Sequence, residues 1–142
     1  MTCRRVAGLL CVTSLALVAG TCAPVAQGPP GITITDVSPL GDEVGEVRGV
    51  VENVDATQYA VAVYIWVADQ WWLKPFEDSL VAIDPYLLEP LAGEWQTPIV
   101  TGGADAWARE IRAFVVPLTY EPALNTLPAE ADYIAAASIT RP

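Results

Sequence analysis

The nine residues Tyr59–Val67 constrain the fold most, because they are apolar on both faces of an extended strand. Every second residue from Tyr59 is a tyrosine or β-branched, which makes this set the natural core face. The alternate set mixes two alanines with Tyr64 and Trp66 and is predicted to be only partly covered. A strand of this kind is typical of the centre of a sheet with both faces covered.

Shorter runs with a period of two predict further strands on either side, separated by Gly/Pro-rich turns. The chain favours an all-β, immunoglobulin-like two-sheet β-sandwich of about seven strands, with at most one or two short helical turns. Asp105 is predicted to cap one such turn, and Leu127–Tyr133 to form a short helix beginning at Pro128. The predicted strands are Ile32–Val37, Glu46–Val54, Gly93–Val100, Ile111–Val116 and Ile134–Thr140, with Leu80–Ile83 as a short edge strand.

The first residues have the features of an export signal. Arg4 and Arg5 precede an uncharged apolar run over Val6–Ala19, which is too short to span a bilayer securely. We interpret residues 1–21 as a signal peptide, 22–31 as a flexible tether and 32–142 as the β-sandwich domain, and we expect the protein to be exported and extracellular or anchored in the cell envelope. Cys22 follows a small-residue stretch and is a candidate lipoprotein acceptor, although ordinary secretion stays open.

The domain contains no cysteine, since all three cysteines lie at or before position 22, and the sequence contains no histidine. The core must therefore stabilise the domain without disulfides, and catalytic triads with an imidazole base are excluded. Paired carboxylates at Asp42–Glu43 and Glu77–Asp78 suggest glycoside hydrolysis, but sequence neighbours rarely point into one cleft. We expect no enzyme activity, no cofactor and no metal.

The acidic balance limits the partners. Without Arg4 and Arg5 the chain keeps five basic residues against seventeen acidic ones, which lowers the net charge from -10 to -12. Such a surface repels nucleic-acid phosphates and anionic headgroups. We therefore expect no nucleic-acid partner, and contact with a membrane only through an N-terminal lipid anchor.

Several spaced motifs in register lie between roughly Val44 and Arg141: Tyr59–Ile65, Trp72–Pro75, Gly93-x-Trp95, Thr101–Gly103 followed by Asp105, and Ile111–Pro117. Together they resemble a β-rich, carbohydrate-binding-like accessory domain of secreted bacterial carbohydrate-active enzymes and envelope proteins. The resemblance implies a shared fold and a binding role, while Asp84–Ala92 looks like an insertion where the family has a tight turn.

Five tryptophans in so small a domain suggest a surface on which sugar rings could stack. Trp71 and Trp72 beside Lys74, the only lysine, form the best candidate platform. Adjacent strand residues point to opposite sides, so at most one of the two tryptophans can face solvent. The further candidate ligand contacts are Tyr64, Trp66 and Asp105.

Two functional hypotheses follow. In the first, the chain is a non-catalytic exported module that binds a neutral polysaccharide weakly through exposed aromatic side chains. In the second, it is a structural or protein-interaction domain of the cell envelope, with the tryptophans in the core. There the apolar loop Tyr86–Leu88 contacts an envelope protein, or else folds onto the edge of its own domain.

Overall fold

Eight strands form two antiparallel four-stranded sheets in the computed structural model, which describes Val25 and residues 27–142. The first sheet has the order β1-β2-β6-β5 and the second the order β4-β3-β7-β8. These are the ABED and C′CFG orders of an immunoglobulin-like sandwich, so the predicted fold class is confirmed, with eight strands instead of about seven. The elements are β1 Gly31–Val37, β2 Glu46–Glu52, β3 Tyr59–Val67, β4 Gln70–Lys74, β5 Asp84–Pro85, β6 Gly93–Pro98, β7 Glu110–Pro117 and β8 Ala135–Thr140, with one 3-10 turn over Asp105–Trp107.

The main core lies between the two sheets. The strand β3 is central, as predicted, because it pairs with β4 on one side and β7 on the other. Its side chains Val61, Val63 and Ile65 point inward and are completely buried. Since both sheets and their apolar clusters are built from residues between 31 and 142, this part of the chain contains its own core.

The domain has no disulfide, and a tryptophan fills part of its core. Trp95 on β6 lies directly opposite Gly49 on β2, and both residues are buried. A Cβ atom at Gly49 would lie 2.4 Å from Cζ2 of Trp95, so only glycine leaves room for the indole at this point.

A second apolar cluster lies on the outer face of the second sheet. Residues 118–133, which we name the crossing segment, connect β7 to β8 and pack over this face. Tyr64 and Phe114 are buried beneath them, with their ring centroids 6.2 Å apart. The outer face of β3 is therefore covered at this end of the sheet.

Two predicted elements are wrong. Leu127–Tyr133 forms turns and no helix, and the Asp132 carboxylate accepts a bond from the Ala129 amide instead of supporting a helical turn. Only Val81 of the predicted edge strand Leu80–Ile83 makes a bridge, to Val61, and the edge strand that follows it in the chain is β5, Asp84–Pro85. Both segments are short, so contacts with distant parts of the chain outweighed the secondary structure that their local sequence pattern indicates.

One arginine ties the end of β8 to neighbouring turns. Arg141 is buried and its guanidinium donates to backbone carbonyls in two segments. Burial lowers its pKa, an effect that Asp42 opposes. Five carbonyls accept these bonds, those of Ser38, Pro39, Asp105, Ala106 and Ala108.

Candidate functional site

A partly exposed pair of tryptophans, Trp66 and Trp71, lies at the end of the second sheet beyond the part that the crossing segment covers. Trp66 on β3 and Trp71 on β4 are directly opposite each other on the outer face, and the strands are joined by a turn of only two residues. Ala68 and Asp69 in this turn both have left-handed backbone angles, with φ of 53° and 60°. Such a turn matches the twist of a hairpin and fixes the register that pairs the tryptophans.

The two rings and a neighbouring ion pair form what we call the aromatic patch: Trp66, Trp71, Arg112 and Glu110. The ring centroids are 5.1 Å apart at an interplanar angle of 61°, so one ring meets the other edge-on. The Arg112 guanidinium carbon lies 4.8 Å from the centre of the Trp71 ring. Its Nε and Nη2 donate to Glu110 Oε1 at 2.9 and 2.8 Å. The patch thus combines aromatic surface with oriented hydrogen-bonding groups.

The patch is accessible to solvent and lies outside four concavities of the domain. Trp66 is 37% exposed, Trp71 is half-buried, and Arg112 and Glu110 keep similar fractions of their side chains in solvent. Among the described residues, four concavities lie near the loop after β5, on the outer face of the first sheet and beside Trp107, and neither Trp66 nor Trp71 lines these four. A surface of this shape suits a ligand that lies along it more than one that must be enclosed.

The predicted platform of Trp71 and Trp72 as a pair is wrong. Trp72 is half-buried on the opposite face of β4 and packs against the main core. Its Nε1 donates to the carbonyl of Val67 at 3.3 Å. The expectation that only one of the two faces outward is confirmed, and the outward partner of Trp71 is Trp66.

Lys74 and Asp105 bind each other inside the protein, which corrects their assignment as ligand contacts. Lys74 is on the inward face of β4, and its ammonium contacts the Asp105 carboxylate and Thr101 Oγ1. Burial alone would raise the pKa of Asp105, but hydrogen bonds from Lys74 and Thr101 hold that pKa below its ordinary value. Asp105 is also not a helix cap, because its carboxylate accepts from the Thr101 amide and Ala104 precedes the 3-10 turn.

Tyr64 is likewise unavailable to a ligand. It is completely buried beneath the crossing segment, and its hydroxyl donates to the carbonyl of Ala123 at 3.0 Å. Burial raises the pKa of this hydroxyl well above its usual range. Of the six predicted ligand contacts, the structure brings only Trp66 and Trp71 together at the surface.

Sequence reasoning missed Arg112 and Glu110. The alternation along β7 places Arg112 on the face opposite Ile111, Ala113 and Val115, but this does not say which strand lies beside it. The register between β3 and β7 identifies the neighbours: Arg112 is opposite Tyr64 and Glu110 is opposite Trp66. A pairing of β3 with β7 was the missing information.

A second exposed apolar feature is the 84–92 loop, the predicted insertion. Its base is paired, since Asp84 and Pro85 bind β6 and the Tyr86 amide donates to Ala92. Its tip carries Leu87 and Leu88, which are 100% and 95% exposed. The loop therefore does not fold its leucines onto the edge of the domain.

The remaining predictions concern chemistry and anchoring. Within residues 25 and 27–142, there is no cluster of three or more carboxylates, cysteines or histidines that would hold a metal ion. That same part of the chain has no helix of the length and hydropathy needed to cross a membrane. Cys22, the candidate lipid acceptor, lies outside the described residues.

No protein-family model, curated protein or solved structure matches the chain. The resemblance to carbohydrate-binding-like accessory domains therefore depends on the spaced sequence motifs alone.

Proposed function

We propose that this protein is a non-catalytic, exported binding module that holds a neutral polysaccharide weakly on the aromatic patch. The observation that carries the proposal is the pairing of Trp66 and Trp71 on an open face, beside the hydrogen-bonded pair of Arg112 and Glu110.

Each part of the patch has a role that suits a sugar. The C–H face of a pyranose stacks on an aromatic ring, and the charged groups bind its hydroxyls. Arg112 already lies over one face of Trp71, so Trp66 provides the main stacking surface and Trp71 supports it from the side. Because the patch is not enclosed, several sugar units along an extended chain would share the contact, and each would bind weakly.

The anchoring proposed from the sequence completes this function. With lipid on Cys22, a tether over residues 22–31 would hold the domain at the cell surface. In the alternative, the domain is secreted without an anchor. The net charge of -12 after signal removal favours a neutral glycan over an anionic one. The sequence resemblance to carbohydrate-binding-like domains supports the same ligand class.

The test is affinity electrophoresis of residues 27–142 in gels containing a β-glucan, a xylan, a mannan or an α-glucan. We expect at least one polysaccharide to retard the protein, and Trp66→Ala to weaken that retardation by about tenfold or more, the equivalent of one lost stacking contact. Trp107→Ala is the matched control, because Trp107 is exposed and its ring lies beside Gly41, outside the aromatic patch. Equal retardation of both variants would contradict the proposal, and so would no retardation in any gel.

A second candidate is a protein-interaction domain, and the exposed tip of the 84–92 loop favours it. Leu87 and Leu88 are the most exposed large apolar side chains among the described residues, and neighbouring apolar side chains in water often mark a contact with a partner. In this case a Leu87→Ser, Leu88→Ser variant would lose binding to isolated bacterial cell envelopes, while Trp66→Ala would keep it. The reverse pattern would favour the glycan module.

A further inference from the structure

The two sheets have four edge strands, and three of these are blunted against pairing with another chain. On β4, the outward amide of Leu73 donates to Leu124, and Asn125 Nδ2 donates to the carbonyl of Trp71. The strand β5 has only two residues, one of them Pro85. The strand β1 follows two prolines and contains a bulge between Ile34 and Asp36. Such devices prevent edge-to-edge association.

The fourth edge, β8, has no comparable protection over its middle. The Arg141 amide donates to Arg109 on the β7 side, so the alternating pattern of an antiparallel pair directs the amides of Ala137 and Ile139 to β7 as well. The amides and carbonyls of the intervening residues point away from β7. These residues are Ala136, Ser138 and Thr140, and none of their amides has a backbone or side-chain acceptor among residues 27–142.

The side chains of β8 also favour pairing. The strand has the sequence AAASIT, with no charge, no proline and no glycine. The open stretch of β8 ends after Thr140. The next residue whose backbone points away from β7 is Pro142, and its carbonyl already accepts a hydrogen bond from the Leu40 amide at 3.2 Å. An added strand would therefore find a short, uncharged edge of defined length.

From these observations we propose that β8 pairs with β8 of a second copy of this chain, antiparallel about a two-fold axis through Ser138. Ser138 would then face its own counterpart and Ala136 would face Thr140 of the partner, which gives about six backbone hydrogen bonds. The second sheets of the two copies would become one continuous sheet of twice the width. This inference does not depend on the proposed glycan function.

Charge opposes a second copy least at this edge. Two chains of strongly negative charge repel each other over most of their surfaces. The strand β8 has no charged residue, Arg112 on the neighbouring β7 is neutralised by Glu110, and the exposed Arg109 directly precedes β7. Repulsion is thus weakest next to the uncharged strand.

The blunted edge at β4 sets the size of the assembly. A two-fold contact uses the same surface on both copies, and the opposite edge of the sheet is already occupied by Leu124 and Asn125. The pairing therefore closes at a dimer and does not continue into a fibre.

The experiment is multi-angle light scattering and sedimentation of residues 27–142 over a concentration series. We expect the mass to rise to twice that of the monomer and no further. Ser138→Pro removes an outward amide without removing a bond to β7, and proline is accepted at such edge positions. It should abolish the dimer, whereas Ser138→Ala, which keeps the amide, should leave it unchanged. A monomeric mass up to about 1 mM overturns the proposal, as does a folded Ser138→Pro protein that still dimerises.

A cross-link tests the geometry if Ser138→Pro fails to fold. The described residues contain no cysteine, so a single Ser138→Cys side chain can be joined to its counterpart by a short bifunctional thiol reagent. The control is Glu121→Cys, an exposed position in the crossing segment. We expect covalent dimers from Ser138→Cys and none from Glu121→Cys. Equal yields, or a Ser138→Cys protein that gives no covalent dimer, would overturn the two-fold pairing.

Discussion

Tyr64 and Trp66 are two residues apart on the same face of β3, but Tyr64 is 0% exposed and Trp66 is 37% exposed. The difference comes from what lies above them. The crossing segment covers Tyr64 and accepts its hydrogen bond through Ala123, and it stops before Trp66. The same strand pattern therefore builds part of the interior at one end of the sheet and an open surface at the other.

The comparison extends to the other predicted ligand contacts. Lys74 and Asp105 belong to the interior with Tyr64, whereas Trp71, half-buried against the second cluster, pairs with the exposed Trp66. An aromatic or charged side chain is thus a binding candidate only where no later segment covers it. If this division is right, substitutions in the interior will cost stability and substitutions in the patch will cost binding.

The largest effect is expected at the buried ion pair. Lys74→Ala leaves the Asp105 carboxylate buried without its cation, so we expect the free energy of unfolding to fall by about 3–5 kcal/mol in urea titrations. The matched control is Arg48→Ala, which breaks the exposed pair with Glu46 and should cost less than about 1 kcal/mol. Equal losses in the two variants would show that Lys74 does not act as an interior residue.

The same pair predicts a smaller, pH-dependent effect. The pKa of Asp105 in the folded protein is below its ordinary value of 3.8, so its contribution to stability is complete above that pH and is lost as the pH falls towards the folded-state pKa. Thermal unfolding followed from pH 7 downward should show this loss. In Asp105→Asn the acid-induced decrease should be shallower, and an unchanged slope would contradict the assignment.

Removing the hydroxyl of Tyr64 tests its hydrogen bond while the ring stays buried. Tyr64→Phe keeps the ring beneath the crossing segment but leaves the Ala123 carbonyl without this donor, so we expect a loss of about 1 kcal/mol. Urea unfolding measures it directly. No loss at all would indicate that the carbonyl finds water, and that this end of the sheet is less covered than Tyr64 implies.

The smallest effect on stability is expected at Trp66. Trp66→Ala removes one cross-strand aromatic contact on an open face, and such contacts contribute about 0.2–1 kcal/mol. Thermal unfolding of this variant should therefore be close to that of the parent protein, although we expect its retardation by polysaccharide to weaken. A loss above about 2 kcal/mol would place Trp66 with the interior residues.

The strands were predictable because they are coded locally. The alternation in Tyr59–Val67 predicted a central strand and that in Ile111–Val116 predicted another strand, and Gly/Pro-rich turns separated the others. The opposite directions of Trp71 and Trp72 also followed from strand geometry alone. These properties depend only on neighbouring residues.

The composition of the site was not predictable in the same way. The crossing segment contains Pro122 and Pro128 and has no regular period, so nothing in its sequence indicates that it covers Tyr64 instead of Trp66. The contact of Lys74 with Asp105 joins residues 31 positions apart. Both are long-range outcomes of packing, which a single sequence does not encode in any short pattern.

The burial of Trp95 against Gly49 has a spectroscopic consequence. An indole in an apolar interior emits at shorter wavelengths than one in water, and small polar quenchers reach it slowly. Trp95 should therefore contribute a blue, protected component to the emission, while Trp66 and Trp107 contribute a red component that acrylamide quenches. One optical measurement would then report the state of the core and the occupancy of the surface separately, without any added label.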